Sequence, residues 1–264
     1  MSAIVQVSNR DAIWTVRINR PEVRNVMSIE LMNELTAVAR RLQDEPGVRA
    51  VILAANGDNF TAGADLKDPQ RWNLDTAGLA EQRALPHIGE RMCQAWEDIP
   101  AMTIFAVEGY CIGGGTALAV CTDFRVIAAS GYFQLPEIAL GIPLSWGALP
   151  RLVRLLGPAR AKRAIILCDK IGGQDAVDFG LAEYLAADGQ AYAEALKLAQ
   201  RIAELPETSV KMSKEAINVT ANALNKLASF MARDQLALAA RSDEAAAARA
   251  KFAARRKPRS GVKS

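Results

Sequence analysis

The sequence predicts an α/β protein that alternates strands and helices through most of its length and finishes in helices. Three observations carry this. Short apolar runs rich in β-branched residues, at 50–54, 101–107 and 124–128, read as buried strands. Apolar stripes at helical spacing lie between such runs. From Ala191 onward the chain is helical in character, rich in alanine and broken at Pro206.

The elements follow in order. Ile4 to Val7 and the alternating Ile13 to Ile18, separated by Ser-Asn-Arg-Asp, predict an opening hairpin. Ser28 is a helix N-cap, and Leu31, Leu35, Val38 and Leu42 form one buried stripe before Pro46-Gly47 stops the helix. Val48 to Ala54 is the next strand. Asp68 to Pro86, with Pro69, Gly78 and mixed charges, has no clean period and reads as a mobile cover leading into a helix through Met92, Trp96 and Ile99. Strands at 103–107 and 124–128 and a helix from Ala148 to Leu156 follow. This order suggests stacked turns of similar shape, although no sequence repeat shows them independently.

Composition bounds the function. A chain of 264 residues, half of them hydrophobic, buries a large core in one domain or a domain with an appendage. A net charge of +3, with basic residues dispersed among acidic ones, gives no nucleic-acid footprint. The dense basic cluster at 255–259 is either a solvated end or one subunit's contribution to a phosphate site. Cys93, Cys111, Cys121 and Cys168 lack metal-ligand spacing, and His87 is the sole histidine, so reduced core thiols and no metal site are expected. No apolar run is long enough to cross a bilayer, and nothing at the start resembles a signal peptide. A cytoplasmic protein is expected.

Chemistry concentrates where the strand ending at Val107 turns into a helix. Glu108-Gly-Tyr-Cys-Ile-Gly-Gly-Gly-Thr-Ala-Leu-Ala-Val-Cys-Thr-Asp123 presents three consecutive glycines at that corner. Bare backbone amides there can hold a negative oxygen, or the glycines simply make a tight turn and close packing. A second strand end, at Ala54, also leads into small residues, in Asn59-Phe-Thr-Ala-Gly-Ala-Asp-Leu66.

With these two segments the chain resembles the enoyl-CoA hydratase/isomerase family, the crotonase superfamily. The resemblance includes Asn19-Arg-Pro21 with Asn25, residues 60–66, residues 108–123, Phe133-Gln-Leu-Pro-Glu137, Gly141-Ile-Pro143 and residues 252–258, in family order across nearly the whole chain. It implies a crotonase-like spiral of ββα units over residues 1–197 and a helical oligomerisation region over 198–264, building a homotrimer or a hexamer. The implied ligand is an acyl-CoA thioester, with coenzyme A as part of the substrate and no permanently bound cofactor.

By residue matching, the N–H groups of Ala64 and Gly114 converge on the thioester oxygen, and Glu137 carries the proton. The family's hydratases hold a second glutamate where this chain has Ala117. Adding water needs a group to hold and deprotonate that water, whereas moving a double bond needs one base that takes and returns a proton. Isomerisation of an enoyl-CoA is therefore expected first. Hydration and a catalytically weak acyl-CoA-binding protein are the alternatives, and thioester hydrolysis, dehalogenation or C–C cleavage lack an evident extra group. Asp68, Glu81 and His87 are conceivable substitutes for the missing carboxylate, although each reads better as a surface group. Ser145 has no triad pattern around it.

The resemblance also implies that Val23, Arg24, Ala62, Asp65 and Leu66 line the CoA path. Phe252, Arg255 and, less directly, Lys257 would reach CoA from a neighbouring subunit. Trp146 departs from the glycine- and alanine-rich run of many relatives. Its indole either occupies space left for the acyl chain or water, disfavouring long straight chains, or caps the 148–156 helix against the core.

Overall fold

The computed structural model describes residues 3–66, 68, 78, 80, 84 and 87–255, with only the backbone of 233, 240 and 252–255. Most of the expected cover at 68–86, including Glu81, and Lys257 in the tail lie outside the described residues. Strands β1 (Val5–Arg10) and β2 (Ile13–Ile18) form the expected antiparallel hairpin, with Val7 opposite Val16. Ser28 caps α1 (Ile29–Asp44) by accepting a hydrogen bond from Leu31 N–H at 3.2 Å, and Leu31, Leu35 and Leu42 of its stripe are buried.

Strand β3 (Ala50–Ala55) starts two residues later than Val48, at Ala50, which pairs with Ile13 of β2, while Arg49 N–H donates to the carbonyl of Ala12 in the hairpin turn. It joins β4 (Met102–Val107), β6 (Phe124–Ala128) and β9 (Tyr184–Ala186) in one six-stranded sheet of order β1-β2-β3-β4-β6-β9, parallel from β2 onward. Both faces of its central strands are covered, which is why they read as continuous apolar runs. Val51, Leu53, Phe105, Val107 and Ile127 face the larger core, built with α1 and α2 (His87–Glu97). Ala50, Ile52, Ala54, Ile104, Ala106 and Val126 face the smaller core under α6 (Ala191–Ala203). Helix α6 therefore belongs with the sheet, and it runs across residue 197.

A second, three-stranded sheet of order β5-β7-β8 lies beside the first: β5 (Tyr110–Ile112), β7 (Tyr132–Gln134) and β8 (Ile171–Gly172). Helices α3 (Gly114–Ala119), α4 (Ala148–Ile166, kinked at Gly157) and α5 (Gly173–Asp178) complete this part.

Helices α7 (Glu207–Asn222), α8 (Asn225–Ser229), α9 (Ala232–Ala240) and α10 (Asp243–Arg255) end the described chain. One polar bolt secures α7. The buried Lys214 ammonium donates to the Ala101 carbonyl at 2.8 Å and to Asp123 Oδ2 at 2.6 Å, and the same Oδ2 accepts from Thr103 N–H and Oγ1. Outward, these helices expose Met212, Ile217, Val219, Leu224, Leu227, Phe230 and Leu238 to between 62% and 77%. Helix α10 instead turns inward, where Ala245 is fully buried against Gly141. No helix among the described residues is long and apolar enough to cross a membrane.

Candidate active site

Three chain segments run parallel and finish at the same end. Thr61 bridges Cys111, and Cys111 pairs with Phe133, so the segment 61–64, strand β5 and strand β7 are in register. Past the strand ends, Gly63 lies against the Ile112 carbonyl, and Pro136 and Glu137 lie alongside Gly113. The crevice beyond the carboxyl ends of parallel strands is where α/β folds bind ligands.

The loops at this end are stapled by Asn25, buried and with φ of 51°. Its carboxamide donates to the carbonyls of Asn56 and Asn59 and accepts from Arg20 N–H, and its own carbonyl accepts from Thr61 Oγ1 at 2.6 Å. Parallel pairing continues through Met27 N–H to Gly63 O and Asp65 N–H to Met27 O, while Ala62 N–H donates to Arg24 O. Val23, Arg24, Ala62, Asp65 and Leu66 are thereby brought onto neighbouring loops, with Val23 and Arg24 exposed.

Each glycine of the corner makes room for a different neighbour. Gly113 takes φ 55° and ψ −115°, a conformation closed to other residues, and a Cβ there would lie 3.0 Å from Glu137 Oε1. A Cβ on Gly114 would lie 2.2 Å from Cζ3 of the Trp146 indole. One on Gly115 would strike Thr61 Cγ2, also at 2.2 Å. The carboxyl thus sits on one side of the corner, the indole on another and the 61–64 loop on a third. Among the described residues no acceptor meets the N–H of Ala64 or of Gly114.

Glu137 is half-buried, with Oε2 enclosed, and its carbonyl fixes the following turn by accepting from Leu140 and Ile142 N–H. Ala117, one turn along α3, is 2% exposed and brings no polar group. Two of the conceivable substitutes, Asp68 and His87, are engaged elsewhere. Asp68 is half-buried rather than an exposed loop charge, and its Oδ2 accepts from Ile29 N–H at the start of α1. His87 pairs with Glu90 at 3.0 Å at the start of α2.

Trp146 immediately precedes Gly147, the N-cap of α4, and belongs to the larger core. Its backbone is left-handed, φ 60°, and its indole is 6% exposed against Gly114 and Gly89. Sequence reasoning missed Gly89. Its signal was a glycine within an otherwise helical pattern, where alanine would make the better helix. Also missed was the buried pair beneath this region, Arg151 Nε to Glu97 Oε1 at 2.8 Å, with Arg151 Nη1 donating to Gly147 O at 2.7 Å. Burial opposes the Arg151 charge, but neighbouring Cys121 and Glu97 more than offset it and hold the guanidinium protonated. Burial also pushes the Cys111 thiol well up, which keeps it neutral beside the corner. The backbone of α10 carries Phe252 and Arg255 as it leaves the Ala245–Gly141 contact, four residues beyond Glu137.

Known structures with this architecture cover almost all of the chain. An enoyl-CoA hydratase/isomerase from Pseudoalteromonas atlantica superposes with a TM-score of 0.85 at 27% identity, covering 97% of this chain and 99% of its own. Crotonyl-CoA hydratase of Syntrophomonas wolfei is 32% identical over 213 residues, 80% of each chain. The Short-chain-enoyl-CoA hydratase of Clostridium acetobutylicum is 31% identical over 207 residues, 78% of this chain and 77% of the relative. Residues 8–261 match the family described as Enoyl-CoA hydratase/isomerase. The chain belongs to that family, within the crotonase superfamily, and is an enzyme.

Proposed function

We propose that this enzyme moves the double bond of an enoyl-CoA, using Glu137 as the single proton carrier and the N–H groups of Ala64 and Gly114 to hold the thioester oxygen. The observation that carries the reading is one carboxyl seated against Gly113, next in the chain to the Gly114 N–H, which meets no acceptor among the described residues, with buried Ala117 where hydration would need a second carboxyl. A thioester α-proton is too weakly acidic for a carboxylate alone. Each amide aimed at the developing oxyanion contributes roughly 2.7–4 kcal/mol in the transition state. Glu137 takes the α-proton, the electrons spread into a dienolate, and the same carboxyl returns the proton at the γ-carbon. No step requires an activated water.

Hydration is the second reading, favoured by the names of the relatives, among them a Crotonyl-CoA hydratase and a Short-chain-enoyl-CoA hydratase. An Enoyl-CoA isomerase/hydratase of Zymoseptoria tritici, 31% identical over 240 residues, carries both activities in its name. A catalytically weak acyl-CoA-binding protein is disfavoured by relatives that are named as hydratases.

In this reading Val23, Arg24, Ala62, Asp65 and Leu66 line the CoA path, and the outward apolar residues of α7–α9 meet other copies in a trimer or hexamer. Phe252, Arg255 and Lys257 add contacts to CoA, and the enzyme works in the cytoplasm on acyl-CoA thioesters. The test is product analysis with matched 2-enoyl and 3-enoyl thioesters. Interconversion of the two without hydroxyacyl-CoA supports isomerisation, while rapid hydroxyacyl formation replaces it with hydration.

A further inference from the structure

From the packing of the Trp146 indole between α2 and α3, we infer that Trp146 is the residue that sets acyl-chain length, closing the pocket just beyond the reacting carbons so that the enzyme takes short acyl groups. The inference rests on the acyl-CoA reading and adds the substrate class to it.

The walls are fixed by the three-glycine corner. With the thioester oxygen on the Ala64 and Gly114 amides and Glu137 over Gly113, the acyl chain leaves the oxyanion site between the carboxyl and whatever stands over Gly114. That object is the indole, close enough that a single added carbon on Gly114 would collide at 2.2 Å. Its opposite side is equally committed. A Cβ on Gly89 of α2 would fall 2.1 Å from indole Cε2 and 2.3 Å from Cδ2. Helix α2 therefore gives up a side chain at the one place where the ring must enter. At 6% exposure the ring is part of the packed core and has no open space to swing into. Its left-handed backbone, φ 60°, is unfavourable for a bulky residue, so the surrounding packing holds the indole there against local strain. Gly147 also adopts positive φ, and its carbonyl is gripped by Arg151 Nη1, which fixes the turn carrying the ring.

A wall of this kind acts on affinity as a function of chain length. Where a pocket accepts additional methylenes, each one tightens binding by about fourfold, the equivalent of about 0.8 kcal/mol. Where an aromatic ring blocks the way, that gain stops.

The test is calorimetric titration of the full-length protein with butyryl-, hexanoyl-, octanoyl- and dodecanoyl-CoA, before and after Trp146→Gly. Glycine is the substitution best suited to φ 60°. For the wild type, affinity should cease rising beyond the short chains. In Trp146→Gly it should continue to rise, by about fourfold per methylene, through octanoyl-CoA. If Trp146→Gly does not fold, Trp146→Phe is read in the same way, and the smaller ring should move the plateau to a longer chain. A wild-type affinity that rises steadily to dodecanoyl-CoA, or a plateau that stays in place in the substituted protein, would overturn the inference while leaving the acyl-CoA reading intact. Failure of butyryl-CoA and all longer thioesters to bind the wild type would overturn both.

Discussion

The glycine corner and the terminal helices treat apolar surface in opposite ways. Around the corner Phe133 and Leu135 are used inward, at 1% and 2% exposure, and the Trp146 indole is wedged into space that two glycines leave. In α7–α9 the largest apolar groups point out, with Leu238 at 77%, Leu224 at 70% and Leu227 at 69%. A closed core ordinarily accounts for stability, whereas an exposed apolar face of this extent is the mark of an interaction surface. The difference teaches that the corner is packed within one chain, whereas the terminal helices leave an apolar face uncovered in the isolated chain.

Substitutions can break this contrast, and the largest effect should come from the corner. Gly114→Ala places a methyl group into the indole at 2.2 Å and must displace either the ring or the amide. A turnover loss of about 10²- to 10³-fold is expected, as for removal of one oxyanion donor, measured as kcat on the preferred enoyl-CoA. At the junction of the two regions, Lys214→Met leaves Asp123 without its buried ammonium partner. A cost of about 3–5 kcal/mol is expected in urea unfolding. Gly113→Ala forces alanine to φ 55° with its Cβ 3.0 Å from the Glu137 carboxyl, and about 1–3 kcal/mol should be lost together with a raised KM. The smallest effect on the chain itself should come from Leu227→Asp. It should stay within about 0.5 kcal/mol in protomer stability, yet shift the population toward smaller species in sedimentation, because Leu227 is exposed in the isolated chain.

Much of the fold was legible because local signals agreed. Alternation in Ile13–Ile18 and the Ser28 cap with its Leu31–Leu35–Leu42 stripe each carried their own period and terminus, and the structure keeps them nearly to the residue. The small sheet was not legible, since β5 and β7 have three residues each and β8 two, too few for any period to register. The corner was visible as three glycines, but their separate duties were not. Which of Glu137, Trp146 and Thr61 meets which glycine depends on the register of segments brought together from 61–64, 110–114 and 132–137. The orientation of Trp146 was open for the same reason, because its decisive neighbour, Gly89, lies 57 positions earlier, on α2. Nor could the sequence show that α10 docks beside Gly141 on its own chain, a contact made through a bare alanine, Ala245.

The most direct test of the central claim is α-carbon deuterium exchange of a bound enoyl-CoA in heavy water, comparing the wild type with Glu137→Gln. Glutamine keeps the shape beside Gly113 but cannot carry a proton, so binding should be preserved while exchange falls by about 10²- to 10⁴-fold. Exchange that continues at the wild-type rate in Glu137→Gln would contradict the assignment of Glu137 as the proton carrier.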